Sequence, residues 1–97
     1  MPKIQYSRRA EQELADILAY TKQRWGDAQA GTYFQELADT FNLLARYKEM
    51  GRSLSATRPT WRRFEQASHV LLYQSIPDGI RIQRIIHKRR LVQPHLQ

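Results

Sequence analysis

The chain has 97 residues, 41% hydrophobic and 26% charged, an ordinary globular composition at a length that one core fills, so a single domain over residues 1–97 is expected. It contains no cysteine, which excludes disulfide scaffolds, thiolate nucleophiles and cysteine-ligated zinc. The net charge of +7 is unevenly placed: residues 1–50 carry seven basic and seven acidic side chains, whereas residues 51–97 carry nine basic ones against Glu65 and Asp78, so the second half calls for a negatively charged partner.

No apolar run approaches the roughly 20 residues needed to cross a bilayer. The polar start Met1-Pro2-Lys3-Ile4-Gln5 lacks the apolar centre of a signal peptide, so a soluble cytoplasmic protein without a membrane partner is expected.

Lys3 to Tyr6 alternates polar and apolar and predicts a short strand, and Ser7 is placed to cap the helix that follows. In that helix Ala10, Leu14, Ile17, Leu18, Thr21 and Trp25 recur at helical spacing. Gly26 ends it, and Asp27 can cap a second helix whose buried stripe is Ala30, Phe34, Leu37, Phe41, Leu44 and Ala45. The tight junction predicts an antiparallel helical hairpin, closing at Met50-Gly51 with Arg46 and Lys48 in its last turn.

Residues 52–59, ending in Arg58-Pro59, read as a loop. Strands are predicted at Thr60 to Glu65, His69 to Ile76 and Ile80 to His87, the middle one central because it has bulky groups on both faces. Asp78-Gly79 suits a tight hairpin turn with positive φ, and a two-residue loop there would set Tyr73 opposite Arg84. The adjacent Ile85 and Ile86 break the alternation of the last strand and point to a bulge or two-sided burial near Arg84. The order β-α-α-β-β-β makes this an α+β chain, with the tail from Lys88 to Gln97 loosely held.

Without cysteine, His69, His87 and His95 form no recognised metal-ligand spacing, so no metal is expected. The glycines Gly26, Gly31, Gly51 and Gly79 make no phosphate-cradling cluster, and no cofactor is expected. A nuclease is the serious enzymatic alternative, since arginines at 81, 84, 89 and 90 could stabilise phosphoryl charge while His87 or Tyr73 moves a proton. The plainer readings are a core aromatic for Tyr73 and a strand-end hydrogen-bonding residue for His87. For Lys88-Arg89-Arg90 an anion-seeking patch is favoured over a solvated tail.

Together, Trp25-Gly26, Gln29-Ala30, Tyr33, Gly51-Arg52, His69-Val70-Leu71-Leu72-Tyr73 and Arg84-Ile85-Ile86-His87 resemble the ParE family of the RelE/ParE toxin superfamily, over nearly the whole chain. The resemblance implies a helical hairpin packed on a small twisted antiparallel sheet. It implies a type II toxin–antitoxin toxin that inhibits DNA gyrase by binding, arrests growth, stabilises plasmids and is neutralised by a ParD-like antitoxin. RelE-like members instead cut messenger RNA in the ribosome, and that alternative would use Tyr73, Arg84 and His87. The RelE set of lysines, arginines and a tail tyrosine is incomplete, because no tyrosine follows Tyr73. For a binding toxin the target contacts are assigned to Arg81, Arg84, His87, Arg89 and Arg90. The antitoxin contacts are assigned to Trp25, Tyr33, Arg58, Arg62 and Arg63, where acidic patches would complement the basic half. Direct nucleic-acid binding is a secondary expectation.

Overall fold

A computed structural model of the chain describes residues 2–55 and 58–91. The elements are β1 (Lys3–Tyr6), α1 (Arg8–Trp25), α2 (Asp27–Arg46), β2 (Arg52–Ser55), β3 (Arg58–Gln66), β4 (His69–Ile76), β5 (Gly79–His87) and a short α3 (Lys88–Leu91). The strands form one five-stranded sheet in the order β1-β5-β4-β3-β2. β1 runs parallel to β5, and every other pairing is antiparallel.

The sheet is therefore mixed, correcting the all-antiparallel expectation. A hairpin fixes its own strand direction, but β1 reaches β5 only after the two helices and three further strands, so local alternation carries no information on its sense. A second correction concerns residues 52–55, expected as loop: Arg-Ser-Leu-Ser has little β-forming content of its own and becomes a strand by pairing with β3, with a register shift between Ser53 and Ser55.

Ser7 caps α1 as predicted, its Oγ accepting from the Ala10 amide at 3.0 Å while donating to the Gln83 carbonyl at 2.7 Å. The cap thus ties the helix start to β5. Gly26 has φ 93° and is itself the cap residue of α2, without a side-chain bond. Asp27, expected to cap, lies inside the first turn, where its charge still suits the helix dipole. α2 ends at Arg46, one turn before the expected Met50-Gly51, and Lys48 beyond it donates from Nζ to the Ile76 carbonyl at 2.7 Å.

The core joins Ala10, Leu37, Phe41, Leu44 and Ala45 of the helices to Leu71, Tyr73, Ile80, Ile82 and Ile85 of the sheet. Phe34 and Trp25, expected on buried stripes, are exposed, Trp25 by 64%; each lies on its helix away from the sheet or beyond its reach. Truncating a fully buried member such as Leu37 would cost about 2–5 kcal/mol.

The β4–β5 turn differs from the expected one. Ile76 pairs with Gly79, so the loop is Pro77-Asp78, and Tyr73 opposes Ile82 rather than Arg84. Gly79 does not have positive φ; it is required because a Cβ there would lie 1.7 Å from the Lys3 carbonyl oxygen. The missing side chain admits β1, whose Lys3 amide donates to the Asp78 carbonyl at 2.7 Å. A register shift between Leu72 and Tyr73 sets Leu72 opposite Arg84, which places the bulge at Gln83, beside Arg84 as the broken alternation suggested.

Candidate functional site

The β4–β5 ladder ends with His69 opposite His87, and Lys88 leaves it by donating its amide to the Ser68 carbonyl at 2.8 Å. Between this end of the sheet and the α1–α2 junction lies a cleft of about 600 Å³. Its walls include Tyr20, Trp25, Tyr33, His69, His87 and Arg89.

At the back of the cleft the Tyr33 hydroxyl is hydrogen-bonded to His69 Nδ1, and the His69 and His87 rings meet edge to face with centroids 5.1 Å apart. Burial, and next to it the neighbouring His87, push the His69 pKa down to about 4. His69 is thus neutral at physiological pH and packs as a polar core residue. Burial likewise raises the Tyr33 hydroxyl above its usual range, so it stays protonated.

His87 is more open. Its Nδ1 accepts the Arg89 amide at 3.0 Å, so in the neutral ring the proton sits on Nε2 as a donor. The same bond turns the chain into α3 and brings the exposed Arg89 to the cleft mouth. At the opposite lip stands Trp25, with the Arg24 guanidinium 5.6 Å from its ring centroid. The cleft therefore combines aromatic surface with a guanidinium and an imidazole donor, a set that fits a partner segment with an apolar and a carboxylate or phosphate group.

Glu13 of α1 holds the floor. Its carboxylate receives Arg84 Nε at 3.0 and 3.2 Å, Arg84 Nη2 at 2.9 Å and the Ile85 amide at 2.8 Å. β1 pairs with β5 as far as Ile82; Ser7 and then Glu13 continue as side-chain substitutes along the β5 edge.

The residues proposed from sequence are thus divided among separate places. His87 and Arg89 meet in the cleft with Trp25 and Tyr33, so members of the target set and of the antitoxin set share one site. Arg84 is committed to Glu13. Arg81 stands on the sheet face away from the helices, its Nη1 3.5 Å from Gln5 Oε1. Arg62 Nη1 donates to the Gly51 carbonyl at 2.6 Å, an internal tie, and Arg63 lies on the outer face. The side chains of Arg58 and Arg90 lie outside the described residues.

The alternative catalytic trio does not converge. Tyr73 is buried; its hydroxyl accepts from the Gly51 amide and donates to the Lys48 carbonyl, each at 2.8 Å. It lies four residues along β4 from His69, the partner of His87, or about 13 Å away, while Arg84 is neutralised by Glu13. Sequence reasoning left out His69, Ser68, Glu13 and Tyr20 as cleft residues. Hairpin arithmetic with the turn centred on Pro77-Asp78 pairs His69 with Ile86, and the one-residue bulge at Gln83 moves its partner to His87. Among the described residues no cluster of His, Cys, Asp or Glu could hold a metal ion, and no helix is long and apolar enough to cross a membrane.

The arrangement of two helices on this mixed sheet is shared with chains of solved structures described as toxin–antitoxin systems. A structure described as the chromosomal ParDE system from P. aeruginosa matches with TM-score 0.71 at 20% identity, covering 90% of this chain and 96% of that one. A chain of the structure described as the E. coli DinJ-YafQ complex matches with TM-score 0.54 at 16% identity over 96% of this chain and 100% of that one. At these identities the likeness is one of fold. The profile described as "ParE toxin of type II toxin-antitoxin system, parDE" matches residues 4–92, and Toxin ParE1 of Caulobacter vibrioides is 36% identical over 98 aligned positions, 99% of each chain. The chain belongs to the ParE toxin family of type II toxin–antitoxin systems.

Proposed function

We propose that this toxin acts by binding rather than catalysis, stalling replication at DNA gyrase in the cytoplasm, with His87 and Arg89 at the cleft mouth as contacts. The observation that carries this reading is the shared cleft: a basic, hydrogen-bonding mouth sits on the same walls as exposed Trp25 and half-buried Tyr33. A ParD-like antitoxin segment that lays an apolar side chain on Trp25 and a carboxylate on Arg89 covers the target contacts directly, so neutralisation is by occlusion. The relatives support the pairing, since a matched structure is described as a ParDE system. Growth arrest when the antitoxin is lost, and hence stabilisation of the replicon that carries the pair, follow from the same reading.

The ribonuclease alternative has less support, because Tyr73 and Arg84 have their polar atoms engaged away from the cleft. The test is gyrase supercoiling with and without the protein, scored for trapped cleaved DNA, beside messenger cleavage on translating ribosomes. Inhibition with trapped cleavage, weakened by Arg89→Ala and relieved by antitoxin in a manner that Trp25→Ala impairs, is expected. Messenger cleavage with gyrase untouched would replace this reading with the RelE-type one.

A further inference from the structure

The sheet face turned away from α1 and α2 carries two neighbouring cross-strand rows. One runs Arg52, Arg63, Leu72, Arg84 across β2, β3, β4 and β5. The next runs Trp61, Gln74, Arg81, Gln5 across β3, β4, β5 and β1. Glu13 draws the Arg84 guanidinium out of the first row. Guanidinium and amide groups dominate what remains, with Gln83 Nε2 donating to Gln74 Oε1 at 2.9 Å and joining the second row.

Arg52 and Arg63 stand directly opposite each other, and like charges so placed repel. Arg63 Nε is buried without a hydrogen-bond partner among the described residues, whereas buried donors are normally satisfied. The carboxylate that bears on the pair is Glu65. Its pKa is lowered first by its hydrogen bond and charge contact with Lys88 and then by Arg63 and Arg52, and its oxygen is already held by Lys88 Nζ at 2.9 Å. Three cations facing one carboxylate leave an uncompensated positive site.

We infer that this face binds the backbone of a single-stranded nucleic acid, with Arg52 and Arg63 on adjacent phosphates and Arg81 on a further one. From strand spacing and register, Arg63 and Arg81 lie about 12 Å apart, so the contacts cross the sheet diagonally. Guanidinium forks match phosphate oxygens in shape and charge. Besides Leu72, which stands opposite Arg63, the neighbouring side chains in the two rows are amides and an indole, a set richer in hydrogen-bonding groups than the apolar anchors that hold a protein segment, which favours nucleic acid over an acidic peptide. A broad sheet cannot enter a duplex groove but can carry a strand laid across it. This surface is separate from the cleft, and the inference does not rest on the gyrase reading.

The test is fluorescence anisotropy of a labelled oligothymidylate with the full chain, from about 50 to 200 mM salt. Arg52→Gln/Arg63→Gln is expected to weaken binding roughly tenfold and to flatten the slope of log K against log salt by about 1.4, two phosphates at about 0.7 each. Thermal melting checks that this variant folds, and Arg81→Gln, whose contact to Gln5 is long at 3.5 Å, is a second variant expected to weaken binding severalfold. Unchanged affinity and slope in both variants would overturn the proposal. So would polyglutamate displacing the oligonucleotide at equal charge concentration, which would assign the face to an acidic peptide. Gyrase inhibition is a separate readout, so either reading can fail alone.

Discussion

Replacing Glu13 by alanine removes three contacts from Arg84 and one from the Ile85 amide at a stroke. The side chains are only 15% and 22% exposed, so the guanidinium left behind is mostly shielded from water. Breaking one partner of a buried pair costs about 3–5 kcal/mol, and an orphaned backbone donor adds about 1–3 kcal/mol. Residual exposure of Arg84 and its freedom to swing outward place the expected loss near the lower end, about 3 kcal/mol. For a domain of this size that corresponds to a fall in Tm of roughly 12–24 °C. Thermal and urea unfolding of Glu13→Ala, Arg84→Met and the double variant form a cycle whose coupling energy isolates the pair. A loss below about 1 kcal/mol for Glu13→Ala would refute the reasoning, for it would show the pair behaving like a solvent-exposed ion pair. The functional corollary is that Arg84→Met should lose activity only as far as it loses folded protein, whereas Arg89→Ala should lose gyrase inhibition with Tm unchanged.

Three further outcomes are expected. Because the folded pKa of His69 is lowered from its ordinary 6.5 to about 4, the unfolded chain binds more protons between those values; stability from this group is present above pH 6.5 and falls as the pH drops toward 4, by up to about 3 kcal/mol. Urea unfolding from pH 7 to 4 should show this slope and His69→Gln should flatten it; an unchanged slope would mean that His69 is not the titrating group. Tyr73→Phe orphans the Gly51 amide and the Lys48 carbonyl and should cost about 1–3 kcal/mol without affecting gyrase inhibition per folded molecule, whereas loss of activity at full stability would revive the catalytic role. Gly79→Ala drives a methyl into the Lys3 carbonyl; circular dichroism should show a lowered Tm with β1 detached, and a wild-type Tm would contradict the close approach of β1 and β5.

Much of the fold was written locally. The Ser7 cap, the helical periodicity of Leu37, Phe41 and Leu44, and the β-rich run from His69 to Ile76 each state their conformation within a few residues, and the structure has each in place. The residues that carried the family resemblance were legible for the same reason: Trp25-Gly26 marks the turn between the two helices, and Gly51-Arg52 the entry into β2 after α2 has ended. Trp25 shows the limit of such reading, since its spacing matched the buried stripe although α1 carries it past the sheet to the lip of the cleft.

What the sequence determined by itself was the two long helices and the strands β1, β3, β4 and β5, though not β2 or α3, together with the concentration of positive charge in residues 51–97 and the absence of thiol chemistry, all properties of composition and short-range pattern. Tertiary structure alone decided that β1 lies parallel to β5, that Glu13 claims Arg84, that His87 meets Tyr33 through His69, and that Arg52 and Arg63 face each other on the far side of the sheet. Each of these depends on a register or a pairing between segments distant in the chain. A one-residue change in such a register moves every side chain of a strand to the other face, so charge and residue type can be read from the chain, but which charges meet can be read only once the strands are paired.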